Sequence, residues 1–561
     1  MRTPVILSAS FPRTLEILAR RLRDAAAPVE IWSFDGPQAR RDHEARLGAR
    51  GVEARIRSAY KPLLHAFLEE IPTEGLIRAE ILHPVHPAAT RRRFQLEAYP
   101  LAGLFPETEF AFLPAPSGED LTYRLRLFRR DGPEQEMEVF APNRLHPDPT
   151  GALVLSPTGW LKIGAGDPGE RIETELEALF AAALRAVPKA GFEELRLSAR
   201  IPMPDQPLGF GEEVVSLQEA LHEDLYFSLL ELLGERPGQI VPEVGLGPPE
   251  AARLTIEARP LDANDPQSAA RDSAPLAGLQ APPSPERVAR ELAALGGVSF
   301  EARSRAGRVL RGVHLQGSDA PMLLTAGQHA NETTGIVGAL RAAREIAARP
   351  GAHLAVTPLD NPDGYALHRR LTRENPRHMH HAARFTAWGE DLERGPPEAE
   401  AAIRSAALKL CPARLHVNLH GYPAHEWTRP FSGYLPRGYE TWTLPKGFFL
   451  ILRHKPGSTA FAEALLTRIA RDLAEAPGLL DFTRAQMRLA EAHAGPLGFR
   501  LVEGFPCLVS VRSDLRTEVE LVTEYPDETI LGPAFVRGHE AQTRAALAAY
   551  EALQVLAGSE A

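Results

Sequence analysis

The sequence predicts an α/β fold for its later half, a mixed and largely parallel sheet flanked by helices, preceded by an α+β region. Three observations carry that prediction. From Ser284 onward, short apolar runs alternate with helix-period segments, the pattern of strands and helices that cover each other. Earlier, helical and alternating patterns follow one another in no regular order. Between the two halves, Asp262 to Glu286 reads "DANDPQSAARDSAPLAGLQAPPSPE", rich in Pro, Ala and Ser and without apolar period, as a linker is. The expected organisation is an α+β region over 1–261, a linker over 262–283 and a second domain over 284–561.

In the first region, "FPRTLEILARRLRDA" and "ALFAAALRAV" have helical spacing, whereas "LTYRLRLFRR" and "RLTIEARPL" alternate as strands do. After the linker, Ser284 is an expected N-cap, Pro285 the first helical residue and Glu286 an acid in the first turn. That helix, "SPERVARELAALGG", should stop at Gly296 and Gly297. "PMLLTAG" is a short buried-type strand, "ETTGIVGALRAAREIAA" a helix ending before Pro350, and "AHLAVTPLD" a strand leading into a turn at "NPDG". "ARLHVNLHG", "FPCLVSVR" and "TEVELVTEYP" supply three more strands, the last expected to end at Pro526.

Composition narrows the function classes. The 561 residues exceed the roughly 100–200 of one domain. Hydrophobic residues at 44% and charged residues at 24% are ordinary globular values. A net charge of −10 lacks the basic excess that phosphate-backbone binding demands, so no nucleic-acid partner is expected. Cys411 and Cys507 are too few for a disulfide framework. The N-terminus has no signal-type apolar core, and no run of about 18 apolar residues occurs. A cytoplasmic protein without a membrane partner is the expectation, and the preference for Arg over Lys suggests a GC-rich bacterial source.

The chemistry concentrates at strand ends, where α/β folds gather functional groups. His329 and Glu332 lie just past "PMLLTAG", and a spacing of three on a helical turn would set both on one face. His420 closes the apolar run "LHVNLH" before a glycine. Two imidazoles and one carboxylate are the donor set of an open, catalytic zinc site. An isolated His-x-x-Glu arises by chance in a chain with 19 His and 73 Asp and Glu; three such donors at strand ends do not so readily.

"LLTAGQHANETTG", "NPDGY" and "NLHGY", in that order and each after an apolar strand, resemble the zinc carboxypeptidase family typified by carboxypeptidase A, and more nearly its short bacterial members. The lead-in "RSRAGRVLRGVHLQGSDAP" is similar too, and the likeness spans roughly Ser284 to Tyr550, making 284–561 the catalytic domain by resemblance. It implies one zinc ion per chain, held by His329, Glu332 and His420. It also implies a late strand-end glutamate as general base. Glu518, Glu520 and Glu524 share a strand face; Glu524 is preferred because "TEYP" resembles the bacterial ending, with Glu520 the alternative.

The resemblance further implies an arginine for the developing oxyanion and another for a terminal carboxylate. "TREN" makes Arg373 the oxyanion candidate and "HHAARF" makes Arg384 the clamp, although Ala383 stands where the family has asparagine. Tyr422 is an expected substrate-binding residue, with His425, Glu426 and Trp427 as pocket neighbours. His378, His380 and His381 are either pocket supports or a solvent-facing run. No tyrosine lies between Tyr439 and Tyr525 to serve as the family's mobile tyrosine. The implied activity is zinc-dependent cleavage of a C-terminal peptide amide. The alternatives are an amidase or deacylase acting on an N-acyl amino acid or cell-wall-type peptide, and a non-catalytic binding relative.

Overall fold

The computed structural model describes residues 5–188, 191–261, 274–393, 399–427, 432–436, 439 and 443–560. Most of the linker, 262–273, lies outside the described residues. Two compact units divide the chain: Met1–Pro260 with His425–Thr443 and Leu489–Pro496, and Leu261–Ala424 with Leu444–Arg488 and Leu497–Ala561. Two stretches of the later half therefore count with the first unit. Among the described residues, no helix is long and apolar enough to cross a membrane.

The first unit is α+β. One four-stranded sheet runs in the order Val5–Pro12, Ala251–Arg259, Glu194–Ile201, Gln239–Leu246. Two other four-stranded sheets are built on Val29–Ser33 and Leu76–His83. The helix Glu175–Ala186 begins where Thr174 and Glu177 exchange side-chain and backbone hydrogen bonds as a capping box. The helix Leu217–Leu233 is capped by the Ser216 hydroxyl.

The second unit is organised on one nine-stranded sheet. Its strands are β1 (Val298–Arg303), β2 (Val309–Leu315), β3 (Met322–Ala326), β4 (Leu354–Thr357), β5 (Leu415–Pro423), β6 (Phe449–His454), β7 (Arg500–Val502), β8 (Phe505–Val511) and β9 (Val519–Glu528). The order across the sheet is β1-β2-β4-β3-β5-β9-β6-β8-β7. The centre, β4-β3-β5-β9, is parallel, while the pairings β1-β2, β2-β4, β9-β6 and β8-β7 are antiparallel.

Helices α1 (Pro285–Ala293), α2 (Thr334–Ala347), α3 (Pro362–Leu371), α4 (Ala402–Leu410), α5 (Thr459–Ala474) and α6 (Pro533–Glu560) accompany the sheet. Alternation along β3 divides two cores: Met322, Leu324 and Ala326 pack with Ile336, Leu340 and Ala545, whereas Leu323 packs with Ala355, Ala407 and Cys411. The Ser284 cap of α1 accepts from Arg287 N at 3.1 Å, and Gly296 and Gly297 take φ of 72° and 80° beyond it.

Two local expectations change. "NPDG" is not a free turn but the opening of α3, with Asn361 accepting from Gly364 N at 2.9 Å and Pro362 in the first turn. Pro526 does not end β9, which runs on through Asp527 and Glu528. On one side β6 pairs no further along β9 than Glu524. Toward β5 the register slips between Tyr422 and Pro423. A proline is tolerated where the ladder is already irregular.

Candidate metal centre

Gly327 leaves β3 with φ of 64°, a left-handed conformation that glycine adopts without strain. The chain then turns through His329 to Glu332, whose backbone N–H donates to His329 O at 3.1 Å. The pair thus shares a tight turn ahead of α2 rather than the helix itself. From the neighbouring strand His420 completes the group: one ligand atom from each of His329, Glu332 and His420 lies within 4.8 Å of the others. All three side chains are buried.

The donor atoms face one point. His329 Nδ1 is 2.8 Å from Glu332 Oε1, His420 Nδ1 is 3.1 Å from Glu332 Oε2, and the two Nδ1 atoms are 3.1 Å apart. On its outer side His329 turns Nε2 toward Asp391 Oδ2 at 3.4 Å. A proton on Nε2 for that carboxylate leaves Nδ1 as a lone pair aimed into the cluster, the arrangement of a carboxylate-oriented metal ligand. Lone pairs facing a carboxylate require positive charge between them. Burial and Arg384 oppose protonation of His329, but Glu332 and Asp391 outweigh them and hold its pKa above the ordinary value. Burial likewise works against the Glu332 anion, yet His329, Arg384 and His420 keep its pKa well below the carboxylate range. The donor set and its convergence fit a divalent ion such as zinc.

Supporting contacts come from elsewhere in the unit. Gly421 N donates to Glu332 Oε2 at 2.9 Å. Gln542, held by the Thr523 hydroxyl at 2.6 Å, donates to His420 O at 2.7 Å. Gln328 donates to Asp391 Oδ1 at 3.1 Å and accepts from Arg404 at 2.8 Å and Asn418 at 3.1 Å. Asp391 and Gln328 carried no sequence signal as site residues, because their role depends on a fold contact with His329.

The glutamates separate cleanly. Glu524 is the register partner of His420 in the parallel pair β5-β9. Its Oε2 is buried without a hydrogen-bond partner. Burial, then the charge of Glu332, pushes its pKa well up, against Arg384 and Lys446. Glu520, the alternative base, sits at the level of His416 and is held by His416 at 3.2 Å and Arg453 at 3.0 Å. Glu518 pairs with Arg414 at 2.5 Å.

The two candidate arginines lie in different surroundings. Arg373 is exposed, just beyond the Thr372 cap of α3. The guanidinium brought to the triad is that of Arg384, 2.5 Å from Glu332 Oε1 and 3.9 Å from Glu528 Oε1. Tyr422 is buried, and its hydroxyl donates to Gly447 O at 2.6 Å and accepts from Lys446 N at 2.9 Å. This fixes the backbone before β6 and sets the Lys446 ammonium 4.7 Å from the Tyr422 ring. Burial pulls the Lys446 pKa down to about 7, with Glu524 opposing. His378, His380 and His381 are buried, so the solvent-facing reading fails; His381 Nε2 lies 3.6 Å from Glu528 Oε2. His425 and Glu426 belong to the first unit, where His425 Nε2 lies 3.7 Å from Glu219 and Glu426 pairs with Lys61.

No family model matches the sequence, and no curated protein matches it. Solved structures are similar to about half of the chain. A metallo-carboxypeptidase from Burkholderia cenocepacia is 13% identical over 56% of this chain and 76% of its own, with a TM-score of 0.32. A succinylglutamate desuccinylase/aspartoacylase from Rhodobacter sphaeroides is 15% identical over 45% and 65%, TM-score 0.24. A murein-tripeptide amidase from Escherichia coli O157 is 15% identical over 47% and 95%, TM-score 0.24.

Proposed function

We propose that the chain is a zinc-dependent hydrolase that cleaves an amide bond by attack of water. The observation that carries this reading is the convergence of His329, Glu332 and His420 with Glu524 at the strand level of His420. A zinc ion held by the triad would polarise the scissile carbonyl and acidify a water molecule. Glu524 accepts the proton of the attacking water and returns it to the leaving nitrogen. Burial and the charge of Glu332 raise its pKa, the direction that makes a carboxylate a stronger base. Arg384 is the donor for the negative charge that develops on the carbonyl oxygen, a role that its contact with Glu332 supports better than that of a remote clamp. The charge of Lys446, when protonated, opposes the rise of the Glu524 pKa, and the Tyr422 hydroxyl accepts from Lys446 N.

The substrate class is a peptide or an N-acyl amino acid. Cleavage restricted to a free C-terminus requires a cation reserved for the terminal carboxylate. Arg384, the expected clamp, contacts Glu332 and has Glu528 near it, and the reading put forward is therefore an amidase or deacylase that needs no free terminus. Purified protein assayed on paired peptides with free and blocked C-termini, and on N-acyl amino acids, tests this. Hydrolysis that is lost with a chelator, regained with zinc and indifferent to blocking is expected. Cleavage of free termini alone points to the carboxypeptidase. Hydrolysis that persists in the His329→Ala/His420→Ala variant overturns the site.

A further inference from the structure

The hydrolytic reading leaves a second group of metal-type donors in this unit unused. His314 on β2, His353 immediately before β4 and Cys411 immediately after α4 each bring a ligand atom to within 4.8 Å of the others. Their convergence follows from the sheet. His314 is the antiparallel partner of Ala355, and Ala355 packs in one cluster with Leu323, Ala407 and Cys411. His353, two positions before Ala355, has the same strand parity. The Cys411 thiol lies 3.7 Å from Met322 O.

The hydrogen bonding leaves lone pairs available. His353 Nδ1 lies 3.2 Å from Asp319 O. A carbonyl only accepts, so Nδ1 carries the proton and Nε2 keeps its lone pair. His314 Nε2 is buried and has no hydrogen-bond partner, a state that proteins rarely leave uncompensated. Cys411 is a free, fully buried thiol, and His353 is half-buried.

We propose that His314, His353 and Cys411 form a second metal site for a borderline-soft transition ion, with zinc(II) as the reference ligand. Two imidazoles and one thiolate are donors that zinc favours, and coordination would draw them to roughly 3.5 Å from one another. On binding, the thiol proton goes to solvent and the ion takes its place; no electron is transferred. The location differs from that of the hydrolytic centre. Cys411 contacts Met322, the first residue of β3, whereas His329 follows its last residue, Ala326. An ion here would tie the end of α4 to β2 and β4.

The full chain carrying His329→Ala and His420→Ala isolates this site from the hydrolytic one. With that variant, about one zinc per chain should survive gel filtration, and zinc should raise the melting temperature. Cobalt(II) should give thiolate-to-metal charge-transfer absorption. Adding Cys411→Ser should abolish the absorption and the retained zinc, and adding His353→Gln at the half-buried position should weaken binding at least tenfold. Absence of the charge-transfer band in the double variant overturns the proposal, as does zinc retention unchanged by both further substitutions. Because the hydrolytic ligands are removed throughout, the outcome is independent of whether the chain cleaves an amide.

Discussion

Strands β5 and β9 run side by side and present the same residue pair twice, His416 beside Glu520 and, four positions on, His420 beside Glu524. The two levels differ in what surrounds them. At the first, His416 and Arg453 hold Glu520, and although burial opposes it, these partners keep the Glu520 carboxyl well below its ordinary range. At the second, burial and Glu332 push Glu524 up, one oxygen lacks a partner, and His420 turns to His329 and Glu332. A carboxylate fully engaged by cations is a poor proton acceptor, while one held in a buried, underfilled place is tuned for proton transfer. On the proposed reading, the level of Glu524 carries the chemistry and the level of Glu520 holds the two strands together.

Exchanging Glu524 for Gln removes the proposed proton acceptor. The amide keeps the size of the side chain but cannot take the proton. Turnover is expected to fall about 10²–10⁴-fold with zinc content unchanged, read as kcat alongside metal analysis. If Glu520→Gln is the inactive variant instead, the assignment of the two levels is inverted.

Arg384 gives the next effect. As a donor to the developing oxyanion, its replacement by Ala should lower kcat about 10²–10³-fold on free and blocked substrates alike. A rise in KM confined to free C-termini returns it to the clamp role and restores the carboxypeptidase reading.

Much of this centre is legible in the sequence, for a physical reason. His329, Glu332 and His420 follow apolar runs, and a buried strand ending in a polar residue marks the rim of an α/β sheet. The residues that tune them are not legible. Asp391, Gln328 and Lys446 come from loops whose proximity depends on tertiary packing. Arg373 and Arg384 look alike in a run of arginines, and only the fold separates an exposed helix end from a contact with Glu332. Pro526 misleads because a proline is a strand breaker only where both neighbours demand a regular ladder. Missing its continuation hides Asp527, which accepts from Thr334 N at 2.8 Å and so anchors the start of α2 behind the triad.

Glu520 is expected to act on stability rather than rate. Its pKa is depressed from 4.5 in the folded chain, so the stabilisation it gives is present above that value and is lost as pH falls through the folded pKa. Glu520→Gln should therefore cost about 1.5–3 kcal/mol at neutral pH, by loss of charged hydrogen bonds. Its loss of stability on acidification should be shallower than that of the parent. Denaturant melts at pH 7 and in the acid range check both, and kcat should stay within a few-fold of the parent. A variant with undiminished stability at pH 7 and an unchanged acid limb shows that His416 and Arg453 do not depend on this carboxylate.

Glu518 is expected to matter least to both stability and rate. It has the same strand parity as Glu520 and Glu524 but precedes the first residue of β9, and its side chain is 29% exposed beside Arg414 at 27%. Water screens such a pair, and ion pairs of this kind are worth about 0–1 kcal/mol. Glu518→Gln should shift stability by less than about 1 kcal/mol and leave kcat, KM and zinc content at parental values. The result separates sequence parity from environment, since three glutamates of one parity then give a catalytic loss, a stability loss and almost none. A large fall in kcat for Glu518→Gln shows instead that charge along the whole strand, and not the local enclosure of Glu524, sets the chemistry.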